Sequence, residues 1–142
     1  VDSINLTHVK NIYYQYGWPK ESQVGGWAAQ GAFLQIQHAN LETKLEFYPV
    51  IKEMAKLGEL PNFSYGLLTD AILVSQGKKQ IYGTQGGLKT NRDGSTTGVV
   101  WPIKDYPNIK KINKRRVEMG FSEIDFNEIS YDPKVKPRDL KP

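Results

Sequence analysis

Apolar residues recur at helical spacing through the first half of the chain and lose that spacing after Gly77. Residues 3–15 predict a first helix, with Ser3 as N-cap and Ile4, Val9, Ile12 and Tyr13 as apolar positions. Gly17-Trp18-Pro19 stops it, because proline and the residue before it resist the helical conformation. Over 24–41, Trp27, Gly31, Leu34, His38 and Leu41 fall at spacings of 4, 3, 4 and 3, one stripe of a helix. Small residues around that stripe let another backbone approach, which predicts a central position for this helix. A third helix is predicted over about 42–57, with Phe47, Ile51 and Met54 on one face and Gly58 as its stop. A fourth covers about 63–76, capped by Asn62 or Ser64 and ended by Gly77.

The period then changes. Lys79–Thr84 alternates like a strand, which puts Gln80, Tyr82 and Thr84 on one face. Val99-Val100-Trp101 reads as a second strand, and the loop 85–98 between them turns at Asp93-Gly94. A helix follows from Pro107-Asn108 to Met119, closed by Gly120, and a short one over 122–129 with Ser122 as cap. The expected fold is α+β, mostly helical: a helical bundle-like core with one small antiparallel β-hairpin. It forms a single globular domain over 1–130, followed by an extended Pro/Lys-rich tail over 131–142.

Composition narrows the function classes. A length of 142 residues suits one domain, and 39% hydrophobic with 24% charged residues argues against wholesale disorder. No apolar run approaches the roughly 18–20 residues of a membrane span, and no signal-like stretch opens the chain. The compartment stays open between cytoplasm and a periplasmic or secreted location after processing. The absence of cysteine removes disulfides, a thiolate nucleophile and a cysteine zinc site. With two histidines a histidine-rich metal site is not expected, and no cofactor is called for. The net charge of +4 is uneven: 9 Lys/Arg against 8 Asp/Glu over 1–103, and 10 against 7 over 104–142. The dense cluster Lys110, Lys111, Lys114, Arg115 and Arg116 lacks the interleaved aromatics of a nucleic-acid surface and reads as a solvated helix face.

Three polar residues sit on apolar stripes. His38 lies in the Trp27/Leu34/Leu41 stripe, Asp70 among Leu67, Ala71 and Val74, and Arg116 among Ile109, Ile112 and Met119. Periodicity points all three inward, where a charge needs a partner or a solvent-lined cavity. They are expected to converge on one polar pocket. His38 would act as general acid/base, Asp70 would orient it, and Arg116 would hold an anionic group. Gln80, Tyr82 and Thr84, on one face of the predicted strand, would add hydrogen-bonding groups. Each also has a structural reading: a satisfied core histidine, an aspartate paired to backbone, and an arginine that snorkels beside Arg115 as the pair-former. Gly83-Thr84-Gln85-Gly86-Gly87 with Lys89 and Arg92 fits either an anion-binding loop or a flexible hairpin, without P-loop spacing.

The run Gly17-Trp18-Pro19, Val24-Gly25, Ala28, Gln37-His38, Leu68, Asp70, Gly77, Gln80, Tyr82-Gly83-Thr84-Gln85, Arg116 and Gly120-Phe121 resembles domain-of-unknown-function family 6624, a bacterial family. The resemblance covers about 11–121. It adds Gln37 and Gln85 to Gln80, Tyr82 and Arg116 as substrate-binding candidates beside the catalytic candidates His38 and Asp70. In that family an arginine often follows the aspartate, whereas Ala71 stands here. The resemblance implies no reaction. The residues point to a small enzyme doing hydrolytic or proton-transfer chemistry in the His38/Asp70/Arg116 pocket, with a small-molecule or peptide ligand. The alternatives are a non-catalytic binding module for such a ligand and a purely structural polar network.

Overall fold

A computed structural model describes residues 2–134. The fold is α+β and mostly helical, and compactness divides the chain into two units, 1–68 and 69–142.

The first unit is helical. Helix α1 (Asp2–Tyr16) ends where Gly17 turns to φ +83° and its N–H closes on Tyr13 O at 2.8 Å. Trp18 then turns inward and is buried, its ring 6.0 Å from that of Phe47. The predicted 24–41 helix is broken at its start. A single turn, α2 (Glu21–Val24), is separated from α3 (Gly26–Gln37) by Gly25 at φ +84°. Helix α3 is central to this unit and contacts α1, α2 and α4 (Leu41–Lys56). Asn40 caps α4 by accepting Thr43 N–H at 2.9 Å, and Phe47, Ile51 and Met54 form its buried face. Gly58 follows at φ +74°.

The face of α3 is a correction. Its buried residues are Ala29, Ala32, Phe33 and Ile36, while Trp27 is 96% exposed, and Leu34 and His38 also face solvent. The helix is apolar on both sides, so two stripes satisfy the helical period. Close packing selects the one whose alanines let the neighbouring helices approach. His38 also lies past the last helical residue, as the C-cap.

Helix α5 (Asn62–Ser75) crosses into the second unit and ends before Gly77. The expected strand over 79–84 does not form. Only Gln80 makes a bridge, parallel to Ile103, and residues 81–85 are irregular. The hairpin takes up most of the predicted loop instead, and its second strand includes Val99 and Val100 of the predicted strand 99–101. Strands β1 (Gly86–Thr90) and β2 (Thr96–Val100) pair antiparallel in the register Gly86↔Val100 to Thr90↔Thr96. Its turn contains Asp93-Gly94, with Asp93 accepting Ser95 N–H at 3.0 Å. Helix α6 (Ile109–Met119) is capped by Asn108 on Lys111 N–H and closed by Gly120 at φ +92°. The predicted 122–129 helix is absent: the Asp125 side chain takes Asn127 N–H at 2.8 Å in a turn, and the chain enters β3 (Ser130–Tyr131). That strand joins β2 in parallel, giving the order β1-β2-β3. Tyr131, placed in the tail by sequence, is thus a strand residue, and 135–142 lie outside the described residues.

Alternation gives the sheet two faces. One carries Val100 into a core with Ile103, Ile112 and Ile124, against which Phe126, Ile129 and Tyr131 pack. The other carries Gly87, Lys89, Thr97 and Val99, and the Val99 partner Ser130.

Candidate functional site

The chemistry of the second unit gathers round Asp70, which has no solvent exposure. Its position on α5 faces the segment 81–84, whose backbone curls about the carboxylate. Oδ1 accepts Ile81 N–H at 2.8 Å and Tyr82 N–H at 3.1 Å. Oδ2 accepts Tyr82 N–H at 3.2 Å, Thr84 N–H at 3.0 Å and the Thr84 hydroxyl at 2.9 Å. These donors occupy the lone-pair directions a carboxylate offers. Successive N–H groups turned to one point form an anion nest. The glycine-containing loop therefore does bind an anion, and the anion is the protein's own carboxylate.

Gly83 is indispensable to the curl. It sits at φ +74°, and a Cβ there would lie 2.7 Å from Ile103 Cδ1 and 2.9 Å from Ile124 Cδ1. Gln80, also without exposure, closes the loop like a clasp. Its Oε1 accepts Gln85 N–H at 2.8 Å, and its Nε2 donates to Gln85 O at 2.8 Å and to Trp101 O at 2.9 Å. The amides that would have made 79–84 a strand are spent on Asp70, which is why alternation there misleads.

Two arginines of α6 close the far side. Arg116 donates Nε–H to Ser122 O at 2.7 Å, and Nη1–H to Tyr82 O at 2.5 Å and to Gly83 O at 3.4 Å. Its guanidinium also stands 5.3 Å over the Phe121 ring. Arg115 donates Nη2–H to Ile81 O at 3.0 Å and to Lys104 O at 2.8 Å, and pairs with Asp105. Two peptide groups thus have their N–H on Asp70 and their C=O on an arginine: Ile81–Tyr82 links Asp70 to Arg115, and Gly83–Thr84 links it to Arg116. Their dipoles carry charge compensation across the loop. Burial pushes the Asp70 carboxyl above its ordinary value, while the Thr84, Ile81 and Tyr82 donors pull it back. Burial lowers the Arg116 guanidinium and the Asp70 charge opposes that shift.

The structure brings together Asp70, Gln80, Tyr82, Gln85 and Arg116. Tyr82 and Gln85 contribute mainly through their backbone; the Gln85 amide adds a 3.2 Å bond to the Thr84 hydroxyl. Gln37 belongs to the first unit, where its Nε2 lies 3.4 Å from Leu67 O and its buried Oε1 has no partner among the described residues. His38 is exposed, contrary to the inward direction its stripe predicts. Thr84, expected as a hydrogen-bonding group, gives both its N–H and its hydroxyl to Asp70. Arg115 is the contributor that sequence reasoning undervalues, because it reads as an ordinary pair-former. Among the described residues no three His, Asp or Glu side chains cluster as metal ligands, and no helix is long and apolar enough to cross a membrane.

A second feature adjoins the knot. The non-core face of the sheet forms a groove of about 560 Å³, lined by Gly87, Lys89, Val99, Trp101, Ser130 and Asp132 among others. Val99 and Trp101 give it apolar surface, and its lining includes one cationic and one acidic side chain, Lys89 and Asp132.

Fold and site define a small α+β protein whose second unit is built round a self-filled anion nest beside an open sheet face. The chain belongs to DUF6624, a family of unknown function, whose model matches residues 1–136. No curated protein and no solved structure matches it.

Proposed function

We propose that this protein is a non-catalytic binding module. In this reading Asp70, Gln80, Arg115 and Arg116 form its internal frame, and the sheet groove is its ligand site. One observation carries the proposal. Every lone-pair direction of Asp70 and both ends of the Gln80 amide are consumed inside the fold, with no exposure of either side chain. A general acid/base must reach its substrate within hydrogen-bond distance, directly or through one water. Asp70 offers no such approach, which favours a frame over the acid–base pair with His38. The groove has the character of small-ligand sites, apolar surface with a few polar groups.

The test is an amide-resolved NMR screen of the full chain against a library of small organic fragments and blocked dipeptides. Hits should perturb Gly87, Lys89, Val99, Trp101 and Ser130, and His38→Ala should leave them unchanged. Hits that gather around His38 and vanish in His38→Ala would reverse the proposal in favour of the acid–base pocket. A library giving no hit at the sheet would remove the groove as the site.

A further inference from the structure

The groove is bounded on one side by β1, whose outer edge pairs with no strand among the described residues, and the register of that strand specifies what fits it. Trp101 N–H donates to Gln85 O at 3.2 Å and Asn91 N–H to Ser95 O at 2.8 Å, at the two ends of the hairpin. Hydrogen-bonded and non-hydrogen-bonded pairs alternate along an antiparallel ladder. Gly87 and Lys89, which share the parity of Gln85 and Asn91, therefore turn their N–H and C=O toward β2. Leu88 and Thr90 turn theirs outward, along an edge where 87–90 are all exposed, whereas the ladder is irregular at Gly86, whose Cβ direction runs into Val99 O. Each outward residue offers one donor and one acceptor to a further strand.

We propose that β1 receives an extended peptide of a partner protein as a fourth, antiparallel strand, and that the peptide carries the order acidic–x–aromatic. This deepens the binding-module reading and rests on it. Side chains directly opposite each other share a face of the sheet, so the residues facing Gly87 and Lys89 project over the groove. Gly87 leaves a gap there: a Cβ built on it meets nothing within 4 Å, and its other neighbour across the ladder is Val99. A large flat ring opposite Gly87 covers both, as aromatic side chains do beside strand glycines. Lys89 makes no ion pair among the described residues, so a carboxylate opposite it gains a cross-strand partner. Antiparallel addition reverses the order, so the acid precedes the ring by two positions. Leu88, between them, has its side chain on the other face of the sheet, which leaves the middle position open.

The probe is the blocked peptide Ac-Thr-Glu-Thr-Phe-Thr-NH2, titrated into the full chain and followed by amide shifts and hydrogen exchange. Exchange should slow at Leu88 and Thr90 and stay unchanged at Gly87 and Lys89, an alternation that only strand addition produces. Lys89→Glu should weaken binding about tenfold, and the peptide with Lys in place of Glu should recover it on that variant. The order Phe-Thr-Glu should bind more weakly than Glu-Thr-Phe. Three results would overturn the proposal: no saturable response at millimolar peptide, slowing without alternation, or the same amides responding to dilution of the protein alone. The last would assign the edge to a second copy of the chain. Fragment hits on Val99 and Trp101 with no edge response would end the strand proposal and leave the binding module standing, whereas silence in both experiments would end both.

Discussion

Asp70→Asn is the sharpest probe of the frame, because it changes one atom and keeps the shape. The new Oδ1 still accepts Ile81 and Tyr82 N–H, at 2.8 and 3.1 Å in the native protein. The new Nδ2 replaces an oxygen that takes Thr84 N–H at 3.0 Å and its hydroxyl at 2.9 Å. The hydroxyl can rotate to accept; the amide cannot. One buried N–H is then orphaned, at about 1–3 kcal/mol. The negative charge that favours the Arg116 guanidinium also disappears, acting across the intervening peptide groups because the two side chains make no direct ion pair. Relief of the desolvation of the ionised carboxylate offsets part of this. We expect a net loss of about 2–3 kcal/mol, a large share of the roughly 5–15 kcal/mol that holds a domain together. Urea denaturation gives the total, and hydrogen exchange gives the location: the amides of Ile81, Tyr82 and Thr84 should lose protection before those of α4. If the variant lies within about 0.5 kcal/mol of the wild type, with exchange unchanged at those amides, the carboxylate does not hold the loop and the frame argument fails.

The remaining predictions concern single contacts. Gly83→Ala forces a Cβ to 2.7 Å from Ile103 Cδ1 at φ +74°, and should cost about 2–4 kcal/mol in thermal or urea unfolding; a neutral result would mean the 81–84 curl is not rigid. Trp27→Gln removes an indole that is 96% exposed, so stability should stay within about 0.5 kcal/mol by urea denaturation; a loss of several kcal/mol would restore the stripe that periodicity suggested. Lys111 and Arg115 hold the Asp105 carboxyl below its ordinary 3.8. Its contribution is therefore present above that value and lost as pH falls through the lower folded one. Asp105→Asn should flatten the acid limb of a urea-midpoint profile, and an unchanged slope would refute the pairing.

Helices were legible in the sequence wherever one face was clearly apolar. Phe47, Ile51 and Met54 define α4, and Asn108 and Gly120 bound α6 as local rules require, whereas the Asn40 cap of α4 lies hidden inside the predicted 24–41 helix. The failure at α3 has a physical source: apolar residues on both sides satisfy the same period, and only packing volume decides between Trp27/Leu34 and Ala29/Phe33. Residues of the knot were legible as anomalies, since Asp70 and Arg116 on apolar stripes announce buried charge. What filled them was not. Asp70 is neutralised by backbone N–H groups, which every sequence possesses, so no residue type advertises them. His38 was grouped with them because its stripe was assumed to face inward.

The position of the knot gives the edge strand its order. Gln80 grips both backbone groups of Gln85, the residue immediately before β1, and Asp70 immobilises the four residues before that. A free strand edge on a loose loop would have to be ordered as a partner arrived, at the expense of affinity. Here that ordering is built in during folding, by a carboxylate that never meets solvent. A frame of this kind predicts a coupling that a catalytic site would not: Gln80→Leu, at a buried residue that meets the groove residue Trp101 through that residue's backbone oxygen, should weaken peptide binding at β1 while leaving the identity of the preferred peptide unchanged. Loss of affinity with the Glu-Thr-Phe preference intact, measured against the Phe-Thr-Glu peptide, would establish Gln80 as a positioning residue. A Gln80→Leu protein that binds as tightly as the wild type would show that the edge is ordered by the sheet alone.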